Sequence, residues 1–178
     1  MLHNLHSDVV TIFNWHERTQ KWYTTTFQNA HVVERLSETA TPQSGDTGND
    51  GVDLSIPVSR DQIARTKIFE LNLLSDGEGR HLVDGDGVLL AWTDPTTSEL
   101  RVYVKPMVYA SLSDPSKTFT LKPETDFFVL ADLWSADPLE DSGDEGLFSE
   151  MNATRDDVFM ISSATYYKLI PHFEIAGR

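Results

Sequence analysis

The dominant repeat along the chain is two. Val52, Leu54, Ile56 and Val58 alternate with Asp53, Ser55, Pro57 and Ser59. This predicts a strand with one buried face, and Pro57 puts it at an edge or a strand end. Leu100, Val102 and Val104 alternate in the same way with Arg101, Tyr103 and Lys105. Residues 8–14 are short, β-branched and aromatic. Residues 21–33 form a long β-prone run, with Tyr23, Thr25 and Phe27 on one side and Trp22, Thr24 and Thr26 on the other. The polar residues 16–20 between these runs predict a hairpin turn. Further strands are predicted at 88–92, 118–121, 127–130, 158–162 and 172–175. Helix signals are few. Ser59 and Gln62 fit a capping box that opens a short helix toward Phe69, and 149–155 predicts one more turn. The expected core is Val52, Leu54, Ile56, Leu100, Val102, Val104, Phe127, Val129, Phe159 and Ile161.

Three stretches interrupt the alternation. Residues 37–51 hold Thr39, Thr41, Pro42, Gly45, Gly48 and Gly51 and almost no apolar side chain, which predicts a mobile loop. Residues 75–87 carry Gly77, Gly79, Gly85 and Gly87, suited to tight turns. Residues 137–150 carry six acids (Asp137, Glu140, Asp141, Asp144, Glu145 and Glu150) and no base. Like charges this dense oppose packing and predict a second solvated, mobile loop. Many short strands with Gly- and Pro-containing turns predict an all-β fold: a small β-barrel or sandwich with long loops and one or two short helices, forming a single β-rich domain over 1–178.

Composition narrows the chemistry. A chain of 178 residues matches one domain. The absence of Cys removes a disulfide scaffold, a thiol enzyme and any Cys-ligated metal. Lys plus Arg number 14 against 28 Asp plus Glu, a net charge of −14. Such a surface repels phosphate, so sequence-specific nucleic-acid binding is not expected. The apolar runs are too short to span a membrane. The first eight residues include two His and no apolar core, so no secretory signal is expected.

The candidate motifs are incomplete. His16-Glu17 begins like a zinc-protease helix, but Gln20 stands where the second imidazole belongs. Asp84-Gly85-Asp86-Gly87 begins like a calcium loop, but Val88 replaces the next oxygen ligand. His31 and His172 read as sheet histidines, and His3 and His6 as adventitious binders only. Asn152-Ala153-Thr154 matches a glycan acceptor, a pattern expected to be empty where no signal peptide is expected. Trp15, Trp22, Trp92 and Trp134 suit packing better than a sugar platform. No catalytic, cofactor-binding or metal residue is assigned. The residues assigned to partner docking are Thr41, Asp46 and Asp50 in the first loop and Asp141, Asp144 and Glu145 in the acidic one, because loops carry function.

The ordered segments resemble a family of small neck proteins of tailed phages, the head-completion, stopper or minor capsid proteins. The resemblance opens at Asp8-Val9-Val10-Thr11-Ile12-Phe13-Asn14. It continues through Lys21-Trp22-Tyr23-Thr24-Thr25-Thr26-Phe27-Gln28-Asn29-Ala30-His31 and Val52-Asp53-Leu54-Ser55-Ile56-Pro57. A strand pair follows at 119–129, and a closing hairpin at 157–164 and 171–177. The stretches 63–116 and 137–150 depart from the family pattern. The resemblance implies a non-enzymatic β-barrel subunit without cofactor, assembled as a sixfold or twelvefold homo-oligomeric ring. Its implied partners are a portal or adaptor protein and tail-terminator-type proteins. Its implied location is the neck of the virion, after synthesis in the host cytoplasm. Exposed edge strands of such a domain would be closed by neighbouring subunits. Two rival readings stand beside it: a carbohydrate- or peptide-binding β-sandwich module, and a hydrolase working through paired acids.

Overall fold

The structure, a computed structural model, describes residues 8–35, 51–57, 91–93, 100–142, 145–167, 169–170 and 172–178. Its elements in chain order are β1 (Asp8–His16), β2 (Lys21–Arg35), β3 (Gly51–Pro57), β4 (Ala91–Thr93), β5 (Leu100–Tyr103) and α1 (Pro106–Ser111), then β6 (Thr118–Phe119), β7 (Phe127–Val129), β8 (Leu139–Glu140), α2 (Leu147–Thr154), β9 (Val158–Tyr167) and β10 (His172–Gly177). Six of the strands run in the order β1-β7-β9-β10-β3-β2, and β2 pairs back onto β1. The result is a closed, wholly antiparallel β-barrel.

Two long strands make the closure possible. β2 pairs first with β1, from Lys21 to Ala30, and then with β3, from His31 to Arg35. β9 pairs first with β7, from Val158 to Met160, and then with β10, from Ile161 to Tyr167. Each turns a corner of the barrel by changing partner along its length. Closure leaves the barrel proper without an open edge. Among the described residues the open edges belong to β8, which adds outside β2, and to a separate small sheet β4-β5-β6. The exposed edges expected from the sequence are therefore confined, among the described residues, to these additions outside the barrel.

The barrel interior is filled by side chains. Val10, Ile12, Phe27, Val52, Leu54, Ile56, Phe128, Ile161, Phe173 and Ile175 form one buried cluster. Phe119, in β6 of the small sheet, and Leu121, just after that strand, join the cluster. The Phe119 ring meets Phe27 at 5.2 Å and Tyr103 at 5.6 Å, so the small sheet is tied to the interior through aromatic contacts. Gly177 is placed by close approach: a Cβ there would lie 2.6 Å from Cζ of Phe128 and 2.8 Å from Cβ of Phe159.

Most predicted strands are present, and their lengths differ. β3 alternates cleanly and ends at Pro57. Val102, Val104, Phe127, Val129 and Ile161 are buried as expected, and Phe159 is half-buried against Phe128. Arg101 was expected outside and is buried, so the 100–105 alternation does not translate into one wet face. α1 was not predicted; Pro106 opens it, where a missing N–H costs nothing. The helix expected after Ser59, the glycine-rich stretch with Asp84 and Asp86, and residues 88–90 lie outside the described residues, as do Thr41, Asp46 and Asp50.

Candidate functional site

The outer surface of β1, β7 and the start of β9 is apolar, which is unusual for a barrel exterior. Phe13, Trp22, Phe127, Val129 and Val158 are buried there. Phe13 stacks on Phe127 with centroids 4.6 Å apart, and Trp22 meets Phe127 edge-on at 5.0 Å. The acid-rich stretch roofs this cluster. Leu139 pairs with Trp22 in the sheet, and α2 lays Leu147, Phe148 and Met151 over the rings. Asp141 is the clasp: its Oδ1 accepts from Trp22 Nε1 at 2.9 Å and from the Leu147 backbone N–H at 2.8 Å. Gly146, at φ +84, lets the chain turn into α2 beside that carboxylate. The strap between β7 and β8 is held by threonines. Thr11 Oγ1 donates to the Ala131 carbonyl at 2.7 Å and accepts from Leu133 N at 2.9 Å, and Ser135 N donates to Thr24 Oγ1 at 2.9 Å.

The expectation of a solvated loop over 137–150 is thus replaced, for the described part, by a built roof. Counting acids overlooked the apolar residues interleaved with them. Asp137, Glu140, Glu145 and Glu150 are exposed, Asp141 reaches back to Trp22, and Leu139, Leu147 and Phe148 pack on the outer cluster of the barrel. Of the residues assigned to docking, Asp141 is exposed yet turned to internal hydrogen bonds, Glu145 is exposed at the surface, and Asp144 lies outside the described residues. Asp137, Glu140 and Glu150 are exposed on the same roof; Glu140 pairs with Lys21 at 2.9 Å and Glu150 accepts from Ser142 Oγ. Trp22 is buried and Trp15 is half-buried against the outer cluster, and Trp134 is half-buried.

A second group is polar and entirely internal. The Asp126 carboxylate is fully buried and accepts from Asn14 Nδ2 at 2.9 Å, Trp15 N at 3.1 Å and Lys122 N at 2.8 Å. Asn14 also donates to the Thr120 carbonyl at 2.7 Å. This network fastens β1 to the segment between β6 and β7. Burial pushes the Asp126 pKa up to about 7, against the pull of its donors. The Tyr109 ring from α1 is buried nearby and its pKa is raised, first by burial and then by the Asp126 charge. His16 closes the end of β1. Its Nδ1 shares a hydrogen bond with Thr19 Oγ1 at 2.9 Å and its ring meets Tyr109 edge-on at 5.4 Å. Burial lowers its pKa, opposed by the Tyr109 and Leu112 carbonyls. His16 and Glu17 diverge: the imidazole packs inward, while Glu17 pairs with Lys122 at 3.0 Å. Among the described residues no group of three or more His, Asp or Glu is placed to hold a metal.

The remaining barrel exterior is largely polar, with Val33 exposed among it. His31, Ser55, Glu174 and Thr165 form one cross-strand row over β2, β3, β10 and β9. With Asp53 and Ser163 they line a shallow depression of ≈ 410 Å³. Beyond it the β9–β10 hairpin ends in Tyr167, Leu169 and Ile170, all exposed. His172 stacks on Tyr167 and shares a 2.6 Å hydrogen bond with the Ile170 carbonyl. Sequence reasoning missed Asn14, Asp126 and the tip. The available signal was an Asn and an Asp beside otherwise apolar strands, and a Leu-Ile pair where turn residues belong. No protein-family model, curated protein or solved structure matches the chain.

Proposed function

We propose that this chain is a non-enzymatic structural subunit of the head–tail connection of a tailed phage, a stopper or head-completion ring protein that works through its surfaces. One observation carries the reading. The segments that bear the resemblance coincide, in order, with the six barrel strands β1, β2, β3, β7, β9 and β10, together with β6. The stretches that depart from the family pattern hold β4, β5 and α1, or β8 and the first half of α2, all outside the barrel. A shared barrel with variable additions is the expected relation between distant members of one structural family. The filled interior supports a packing role, and a net charge of −14 suits a ring through which DNA passes without being gripped.

The test is quantitative mass spectrometry of density-purified particles from the source culture. The expected result is a low, fixed ratio of this chain to the major capsid protein that survives high salt. Absence from particles that keep portal and tail proteins overturns the reading. The glycan-binding alternative requires indoles presented to solvent; with Trp22 buried and Trp15 half-buried, a glycan panel is expected to leave tryptophan fluorescence unchanged.

A further inference from the structure

Three of the five exposed large apolar side chains among the described residues lie at one place. Leu169 is 95% exposed, Ile170 74% and Tyr167 44%, all at the tip joining β9 to β10. Hairpin turns ordinarily carry Gly, Asn, Asp or Ser. Adjacent aliphatics held in water serve no purpose inside this subunit, and contiguous exposed apolar surface marks an interaction site. The surrounding sequence is distinctive in charge: residues 158–173 contain no Asp or Glu and two basic side chains, Lys168 and His172, in a chain of net charge −14, and the next acid, Glu174, lies 3.3 Å from His172 Nε2.

The other end of β9 presents the complement. Val158 and Met160 there belong to the outer apolar cluster, whose roof residues Leu139, Leu147, Phe148 and Met151 are only half-buried. The exposed acids Asp137, Glu145 and Glu150 rim this roof, and residues 137–150 contain no base. At about 3.3 Å per residue, the length of β9 separates the two surfaces by roughly 30 Å.

We propose that the apolar tip at Leu169 and Ile170 of one copy docks on the acid-rimmed, half-covered roof of a second copy of this chain. Burial of the aliphatic pair against the roof supplies the attraction, and the match of an acid-free tip to an acidic rim sets the orientation. The two surfaces are different and lie at opposite ends of one strand. In the ring of the neck reading the contact is heterologous: each copy offers its tip to one neighbour and its roof to another. Such a contact builds a ring if the rotation closes and a filament if it does not. The inference deepens the neck reading, and rests on it, by naming the contact between subunits.

The full chain is measured by sedimentation velocity from micromolar to millimolar concentration. Two variants accompany it, both confined to exposed side chains and checked by circular dichroism: Leu169→Asp with Ile170→Asp at the tip, and Asp137→Lys with Glu145→Lys on the roof. Wild type is expected to self-associate, less at high salt. Each variant alone is expected to associate about tenfold or more weakly. Mixed, the two variants are expected to form a one-to-one complex that grows no further, because each retains the surface the other lacks. Wild type that stays monomeric at millimolar concentration overturns the proposal. So do variants that assemble like wild type, or a mixture that stays monomeric. Adsorption of wild type, but not the tip variant, to phosphatidylcholine–phosphatidylserine vesicles without self-association assigns the tip to lipid and overturns it as well. The neck reading fails separately: a chain present in particles but monomeric in solution sinks only this contact, and an assembling chain absent from particles sinks only the neck.

Discussion

β3 and β1 both belong to the barrel, yet they bury their side chains differently. β3 alternates without exception, with Val52, Leu54 and Ile56 inside and Asp53 and Ser55 outside. β1 buries both faces: Val10 and Ile12 point into the barrel, while Thr11 and Phe13 lie under the strap and the α2 roof. β7 does the same with Phe127, Phe128 and Val129. Alternation is the signature of a strand with one wet face. Where a second layer covers the exterior, that constraint disappears and apolar residues run consecutively. The barrel is thus one-layered along β3 and β10 and two-layered along β1 and β7. The second layer comes from the acid-rich stretch.

The largest expected effect sets the two layers against each other. Phe128→Ala empties part of an enclosed interior and is expected to cost about 3–5 kcal/mol. Phe127→Ala removes an equally buried ring from the outer layer, but α2 is free to settle into the gap, so its cost is expected at the low end of that range. Urea unfolding of both variants measures the difference, and equal losses would mean that the roof is as rigid as the barrel.

The buried Asp126 comes next. Its pKa rises from 3.8 to about 7 on folding, so the folded chain holds the proton more tightly than the unfolded one. The stabilisation is complete below about pH 4 and declines as pH rises through 7, by roughly 1.4 kcal/mol per unit in the intervening window. Stability measured against an Asp126→Asn variant is expected to fall between pH 5 and 7. A flat difference would show that the three donors outweigh burial and keep the carboxylate charged.

Gly177→Ala forces a Cβ against Phe128 and Phe159 and is expected to destabilise by about 1–3 kcal/mol, read from the shift in unfolding midpoint. Asp141→Ala removes the acceptor shared by Trp22 and Leu147 and is expected to cost about 1 kcal/mol, an estimate reduced for its exposure. Hydrogen exchange is expected to rise in α2 while β3 and β10 keep their protection; faster exchange throughout would make the two layers one cooperative unit. The smallest effect is expected from Lys21→Ala, which breaks only an exposed pair with Glu140 and is expected to leave the unfolding midpoint unchanged.

The strands were legible wherever one face is wet. The alternation at 52–58 marks β3, and the polar residues at 16–20 mark the turn after β1. The acid-rich stretch was legible only as a composition. Charge density argued for a loop, and nothing local announces that Asp141 reaches back across the chain to Trp22. Asn14 and Asp126 are far apart in sequence, so their bond could not be read from either neighbourhood. Of the docking residues chosen for loop location and charge, Asp141 is turned to its own fold and Glu145 is exposed on the roof. The exposed apolar tip lies in a hairpin that reads as an ordinary strand pair.

The sequence by itself determined the all-β class, the positions of most strands and the acidic surface, because period, β-propensity and charge are local properties. Only the tertiary structure decided that β2 returns to β1 and closes the barrel. It alone decided that an acid-rich stretch becomes a roof, and that a buried carboxylate fastens β1 to the chain before β7. Those outcomes depend on which distant residues meet, and partner choice is set by the burial of whole faces at once.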